Sequence, residues 1–256
     1  MDTLKTLIIF DIDGTLVYSE SRDSQCFGQA YRETFGKPFP TLDWTNFSSV
    51  TDTSIFGEAY RSQFQKEVDS ELFDQFFERY LELLKQKREL NADHSLPIPG
   101  VRELIEVIKE SQHMEYAIAT GGWERAAKLK LEHIGLEIDQ IPLVGADGRE
   151  TREEILTLAK LQSIQNWGTF DQIVYVGDAI WDVQTTRNLK MNFVGVRWRS
   201  DFEVLTESGA HTVVSNYLNQ EEFFLAIQNA CAPISSSEKR EKVKEKLKED
   251  LGNWNS

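Results

Sequence analysis

Cysteine is nearly missing: Cys26 and Cys231 are the two in 256 residues. They stand far apart, so no metal-binding spacing exists, and a chain of this length needs no disulfide. Basic charge is also short. Lys and Arg number 28 against 42 Asp and Glu, a formal net charge of −14. That balance argues against a nucleic-acid binder, because a phosphate backbone rewards a basic surface. It leaves room for a small phosphorylated metabolite, since a local cation and a few basic groups can override the global field. No apolar run is long enough to span a bilayer, and Met1 to Lys5 lack the build of a secretory leader. The expectation is a cytoplasmic protein with no membrane partner. Histidine is rare as well. His94, His113, His133 and His211 stand beside no motif, and each reads as a surface or satisfied core residue rather than a catalyst.

What is present is an ordinary globular composition, 40% hydrophobic and 27% charged, enough for one large domain or a core with a smaller one. Leu7 to Phe10 is a short unbroken apolar run, the signature of a strand buried on both faces. It stops at Asp11, and Asp13, Gly14, Thr15 and Leu16 follow. Gly14 permits a sharp turn and Thr15 offers a hydroxyl. Carboxylates two residues apart at the carboxyl end of a buried strand stand where an open α/β sheet places a reactive site. Asp11 could attack a phosphoryl group and form an aspartyl-phosphate. Asp13 could protonate the leaving oxygen and then deprotonate the water that breaks the intermediate. Mg2+, which prefers oxygen ligands, would compensate their charge. A lone D-x-D reads as a solvated acidic turn; D-x-D-G-T-L after a strand favours the reactive reading.

From about Ser19 to Asp93 the patterning is helical, with no clear buried strand. Cys26, Phe27, Ala30, Tyr31 and Phe35 share one face. Phe56, Tyr60, Phe64 and Val68 form a second stripe, and Phe73, Phe76, Phe77, Tyr80, Leu81 and Leu84 a third. Such aromatics read as core, and the insert as a small all-α domain. Leu96 to Gly100 reads as a linker. Strands and helices then alternate: strands at 116–120, 141–144, 173–176, 193–196 and 211–214, helices at 101–111, 123–134, 151–167, 180–189, 201–208 and 221–230. Thr151 and Glu154 form a capping box. The fold class is α/β, a doubly wound, Rossmann-like parallel sheet with a small all-α domain. The divisions are 1–17 with 95–232 as the α/β core, 18–94 as the helical unit, and 233–256 as a charged tail. In the tail, Val243, Leu247 and Leu251 permit an exposed helix, though a solvated tail is favoured, and Trp254 has no assigned place.

Two later strand ends carry further chemistry. Thr120-Gly121-Gly122-Trp123 closes one strand and opens onto a helix. A hydroxyl, backbone N–H groups freed by glycine and a helix N-terminus suit a phosphate, and a plain strand-to-helix turn is equally compatible. Gly177-Asp178-Ala179-Ile180-Trp181-Asp182 closes another. Asp178 could ligate a magnesium ion, with Asp182 ligating or holding a metal-bound water; Asp182 could instead serve as a helix N-terminal charge.

Taken in order, these motifs resemble those of the haloacid dehalogenase-like hydrolases. Asp11-Ile12-Asp13-Gly14-Thr15-Leu16 is similar to the first motif, Thr120 occupies the Ser/Thr position of the second, and Gly177 to Asp182 resembles the fourth. The resemblance covers all but the tail. It is strongest toward phosphoglycolate phosphatase-like members, whose α-helical (C1-type) cap falls where the insert does. It implies a Mg2+-dependent phosphatase, with Asp11 as nucleophile, Asp13 as general acid/base, and metal ligation by Asp11, the Asp13 backbone carbonyl and Asp178, supported by Asp182. Thr120, Gly121 and a cation would hold the phosphoryl group. The family's third-motif lysine is absent from Gly148 to Leu156. Arg152 fits its spacing best, Arg149 is the alternative, and Lys160 lies too far along the helix. Cap loops in this family reach the active site, which makes Thr51 and Asp52 candidate substrate contacts; a helix N-cap role suits either equally. The dehalogenase branch is disfavoured because it uses neither a second aspartate nor a metal, and nothing marks Lys37 or Lys66 as the Schiff base of a phosphonate hydrolase. A phosphotransferase or sugar-phosphate mutase, or a phosphate-binding protein of low turnover, remains compatible with the same residues.

Overall fold

A computed structural model describes residues 4–19, 22–90, 95–138 and 140–235. His94 and the proposed tail beyond residue 235 lie outside them. Strand β1 (Thr6–Phe10) is fully buried and sits at the centre of a six-stranded parallel sheet. Its partners are β4 (Met114–Ala119) and β6 (Gln172–Gly177), and β5 (Leu143–Val144), β7 (Asn192–Val196) and β8 (Val213–Val214) extend the sheet in the order β5-β4-β1-β6-β7-β8. Side chains alternate across the pleat. Leu7 and Ile9 pack on one face with α6 (Arg152–Trp167), and Ile8 and Phe10 on the other with α4 (Val101–Glu110) and α9 (Gln220–Gln228). Each such side chain stabilises the sheet by roughly 1.5–3 kcal/mol. The remaining crossover helices are α5 (Glu124–His133), α7 (Ile180–Asn188) and α8 (Glu203–Ser208). The expected doubly wound architecture is therefore present.

Between β2 (Val17–Tyr18) and β3 (Leu96–Pro97) lie α1 (Arg22–Phe35), α2 (Asp52–Phe64) and α3 (Ser70–Leu90). Among the described residues from 19 to 93 there is no strand, as expected; β2 and β3 flank this stretch and pair antiparallel at its base, Val17 with Pro97 and Tyr18 with Leu96. The stretch 96–97 read as linker is thus half of a two-stranded neck, too short for any periodicity to reveal. The three aromatic stripes converge as expected. Phe27 stacks on Trp123 at 5.7 Å between ring centroids, and Phe73 and Phe77 meet the same indole edge-on at 5.4 and 5.1 Å. Trp123, at the start of α5, is the point on which the insert rests. Val68 lies beyond the end of α2 and packs from a loop. None of the described helices is long and apolar enough to cross a membrane.

Candidate active site

The ends of β1, β4 and β6 bring Asp11, Thr120 and Asp178 to one edge because these central strands run parallel and in register. After β1 the chain folds tightly, with Leu16 and Val17 N–H both donating to the Ile12 carbonyl. Gly14 takes φ +81°, and a Cβ there would overlap the Asp178 carboxylate. Glycine is required for both reasons.

Arg152, the first residue of α6, reaches into this edge. Its Nη2 lies 3.0 Å from Asp11 Oδ2, 2.7 Å from Asp182 Oδ1 and 3.1 Å from the Tyr175 hydroxyl. The Thr151–Glu154 capping box holds the helix terminus that carries it. Arg149 instead donates to the Gly145 and Asp147 carbonyls, so the structure brings Arg152 and not Arg149 to Asp11. Burial pushes the Asp11 carboxyl up to about 6, with Asp182 adding to the rise and Arg152 opposing it. Burial opposes the charge on Arg152 too, yet Asp182 and Asp11 outweigh it and hold the guanidinium protonated.

Asp11 Oδ1 is buried and receives no hydrogen bond. It belongs to a group in which oxygens of Asp11, Asp178 and Asp182 lie within 4.8 Å of one another. Burial first, then the neighbouring carboxylates, push Asp178 well above the ordinary carboxylate range. An orphaned carboxylate oxygen among hard oxygen donors fits a divalent cation such as Mg2+. Asp182 is differently occupied. Its Oδ1 faces Arg152 and Tyr175, and its Oδ2 accepts from the Asp178 and Ala179 N–H groups at 3.1 and 3.0 Å. A carboxylate offers about four acceptor positions, so Asp182 supports the cluster through its neighbours.

The Asp13 carboxylate turns onto Lys130, whose Nζ lies 2.8 and 2.6 Å from its two oxygens and 3.1 Å from Asp23 of α1. Asp23 also pairs with Arg88 of α3 at 3.2 Å. Burial and Asp23 raise the Asp13 carboxyl against the pull of Lys130. Sequence reading missed this network. The signal was there: Lys130 falls on the stripe Trp123, Ala127, Leu131 and Ile134, and Asp23 on the stripe Cys26, Phe27 and Ala30. Tyr175 was missed because a tyrosine in a central strand reads as core.

Thr120 is buried, its Oγ1 accepting the Gly122 N–H at 3.2 Å. A Cβ on Gly121 would fall 2.5 Å from Arg152 Nη1 and 2.7 Å from the Val50 carbonyl oxygen. Thr51 is the N-cap of α2, accepting from Ser54 N–H and donating to the Glu150 carbonyl at 3.0 Å, so its one hydroxyl proton is used and one acceptor position is left. Asp52 Oδ2 accepts the Trp123 N–H at 3.1 Å, while the Asp52 N–H donates to the Gly121 carbonyl at 2.7 Å. Burial lifts its carboxyl to about 7, against Lys130 and the Trp123 bond. Asp11, Asp13, Asp52, Thr120, Lys130, Arg152 and Asp178 are among the residues that border a cavity of about 380 Å³ between the sheet edge and the insert, whereas Asp182 and Tyr175 are not.

Fold and site together define an α/β protein with an acidic, arginine-backed pocket at the carboxyl edge of its sheet. The family model described as haloacid dehalogenase-like hydrolase matches residues 8–196, and the chain belongs to that family. A hydrolase from Pseudomonas syringae is 21% identical, with a TM-score of 0.65 over 87% of this chain and 99% of its own. A predicted phosphoglycolate phosphatase from Haemophilus somnus is 18% identical, with a TM-score of 0.61 over 86% and 98%. CbbY from Rhodobacter sphaeroides, in complex with phosphate, is 15% identical, with a TM-score of 0.61 over 85% and 96%. At these identities the likeness is one of fold. No curated protein matches the sequence.

Proposed function

We propose that the protein is a Mg2+-dependent phosphatase that hydrolyses a small phosphate monoester through an aspartyl-phosphate on Asp11. The observation that carries this reading is the state of Asp11: one oxygen is held by Arg152, the other is buried and receives no hydrogen bond, and an Asp11 oxygen lies within 4.8 Å of oxygens of Asp178 and Asp182. Asp11, Asp178 and the Asp13 backbone carbonyl would hold the cation, with Asp182 supporting them through Arg152 and the start of α7. When bound, Mg2+ neutralises charge gathered on the carboxylates and phosphoryl oxygens.

Asp11 attacks phosphorus and the bond to the alcohol oxygen breaks. Asp13, steered by Lys130, gives its proton to that oxygen and then takes one from the water that attacks the phosphoenzyme. Arg152, the Thr120 hydroxyl and the Gly121 backbone hold the phosphoryl oxygens as charge develops. The helical insert, resting on Trp123, serves as the cap that excludes water. The free thiols of buried Cys26 and exposed Cys231 accord with a reducing, cytoplasmic setting.

Phosphate release from a panel of monoesters, with Mg2+ and with chelator, tests the reading. Release by wild type only with Mg2+, and none by folded Asp11→Asn, supports it. Full activity of Asp11→Asn contradicts it, and isomerised product without free phosphate assigns a mutase instead.

A further inference from the structure

The cavity has two unlike ends. Arg152, Thr120 and Asp178 define the phosphoryl end. The insert contributes an apolar wall of Phe27, Leu42, Trp44, Ile55 and Tyr80, and Leu42 remains 42% exposed. The charged side chains the insert adds are Asp23 and Asp52, both acidic. Among the described residues, the cations bordering the cavity are Lys130 and Arg152.

Neither cation is available to a second anion. An ammonium has three N–H donors, and the three contacts of Lys130 are two oxygens of Asp13 and one of Asp23. Arg152 is held by Asp11 and Asp182. Arg197 pairs with Asp201 and donates to the Asp178 carbonyl, and Arg199 lies over the Tyr18 ring; neither borders the cavity. A carboxylate or second phosphate on the alcohol part would be desolvated near Asp13, Asp23 and Asp52 with no further cation among the described residues to meet it. Asp52, by contrast, has an oxygen to offer: its Oδ2 takes the Trp123 N–H, and Oδ1 receives no hydrogen bond from the described residues.

Resting on the phosphatase reading, we infer that the substrate is a monoester whose alcohol part carries no negative charge, presents an apolar body to the aromatic wall and directs a hydrogen-bond donor to Asp52. Phosphoglycolate and other carboxylated esters are thereby poor substrates.

The test compares phenyl phosphate, 4-carboxyphenyl phosphate and 4-(aminomethyl)phenyl phosphate. Each is measured for kcat/KM with wild type and, by calorimetry with Mg2+, for binding to Asp11→Asn. The carboxylated ester is expected to fall about tenfold or more below phenyl phosphate in both, and the amine to equal or exceed it. Leu42→Lys, which places a cation on the wall without touching the Asp52–Trp123 bond, should narrow the carboxylate deficit severalfold. Asp52→Lys should do so more strongly if it folds. A carboxylated ester bound and turned over as well as phenyl phosphate overturns the inference. If wild type releases no phosphate while Asp11→Asn binds the esters in the stated order, the hydrolase reading fails and the charge preference stands. Esters that neither bind nor react overturn both.

Discussion

Arg152 reaches the sheet edge from the first turn of α6, and one guanidinium nitrogen faces Asp11, Asp182 and Tyr175 together. Arg152→Met leaves two buried carboxylates facing each other. The expected outcome is a fall in kcat of about 10²–10³ together with a lower denaturation midpoint. Arg152→Lys keeps the charge but not the planar reach, so steady-state kinetics should place it between the two. Lys130 acts on Asp13, and Asp23 retains Arg88 in its absence. Lys130→Met should therefore lower kcat about ten- to a hundredfold with KM little changed; a change confined to KM would place Lys130 in substrate binding. Asp11, Thr120 and Asp178 were legible in the sequence because each directly follows a strand, and strand ends of a parallel sheet meet; Asp13 was legible from its place in the turn two residues after Asp11. Lys130 and Asp23 lie on inward helical stripes, yet only the fold shows that those two faces meet at Asp13, and Tyr175 was hidden because a tyrosine in a central strand reads as core. Arg152 was legible only as one of two arginines; helix geometry, with the first residue of α6 aimed at β1, separates it from Arg149.

At the scale of elements, the N-terminus of α6 is the joint between stability and chemistry. Thr151 caps the helix whose first residue is Arg152. Thr151→Ala should cost about 1 kcal/mol in denaturant unfolding and, by loosening Arg152, lower kcat severalfold. An unchanged kcat with the stability loss present would show that the cap does not position the arginine. The alternation of strands and helices revealed most elements, since a buried parallel strand is a short apolar run and its crossover helix is not. The neck was invisible because β2 and β3 have two residues each. Strands β5 and β8 are shorter than the stretches 141–144 and 211–214 read as strands, both being edge strands of the sheet with a single neighbour.

For the whole molecule, acidity gathers in the cavity. Asp11 is raised to about 6 and Asp52 to about 7, first by burial. A carboxyl raised in the folded state binds a proton there that the unfolded chain has already released. Its contribution is fully present below the ordinary pKa and is lost as pH rises through the folded value. Metal-free protein should therefore lose stability between about pH 4 and pH 7, by about 1.4 kcal/mol for each pH unit over which one such carboxyl stays protonated only in the folded state. Asp52→Asn should flatten that slope, and Mg2+ should raise the melting temperature more at pH 8 than at pH 5, since it binds the ionised carboxylates. Melting curves across pH, with Mg2+ and with chelator, check all three.

The phosphatase chemistry turns on covalent capture of the phosphoryl group by Asp11. Rapid acid quench of the full-length Asp13→Asn variant turning over phenyl phosphate with Mg2+, followed by peptide mass spectrometry, tests it directly. Asp13→Asn slows breakdown of the intermediate, so a phosphoryl mass increment on the peptide containing Asp11 is predicted, absent from the Asp11→Asn control. Phosphate release by wild type with no such increment on that peptide, in wild type or Asp13→Asn at any quench time, would contradict the account.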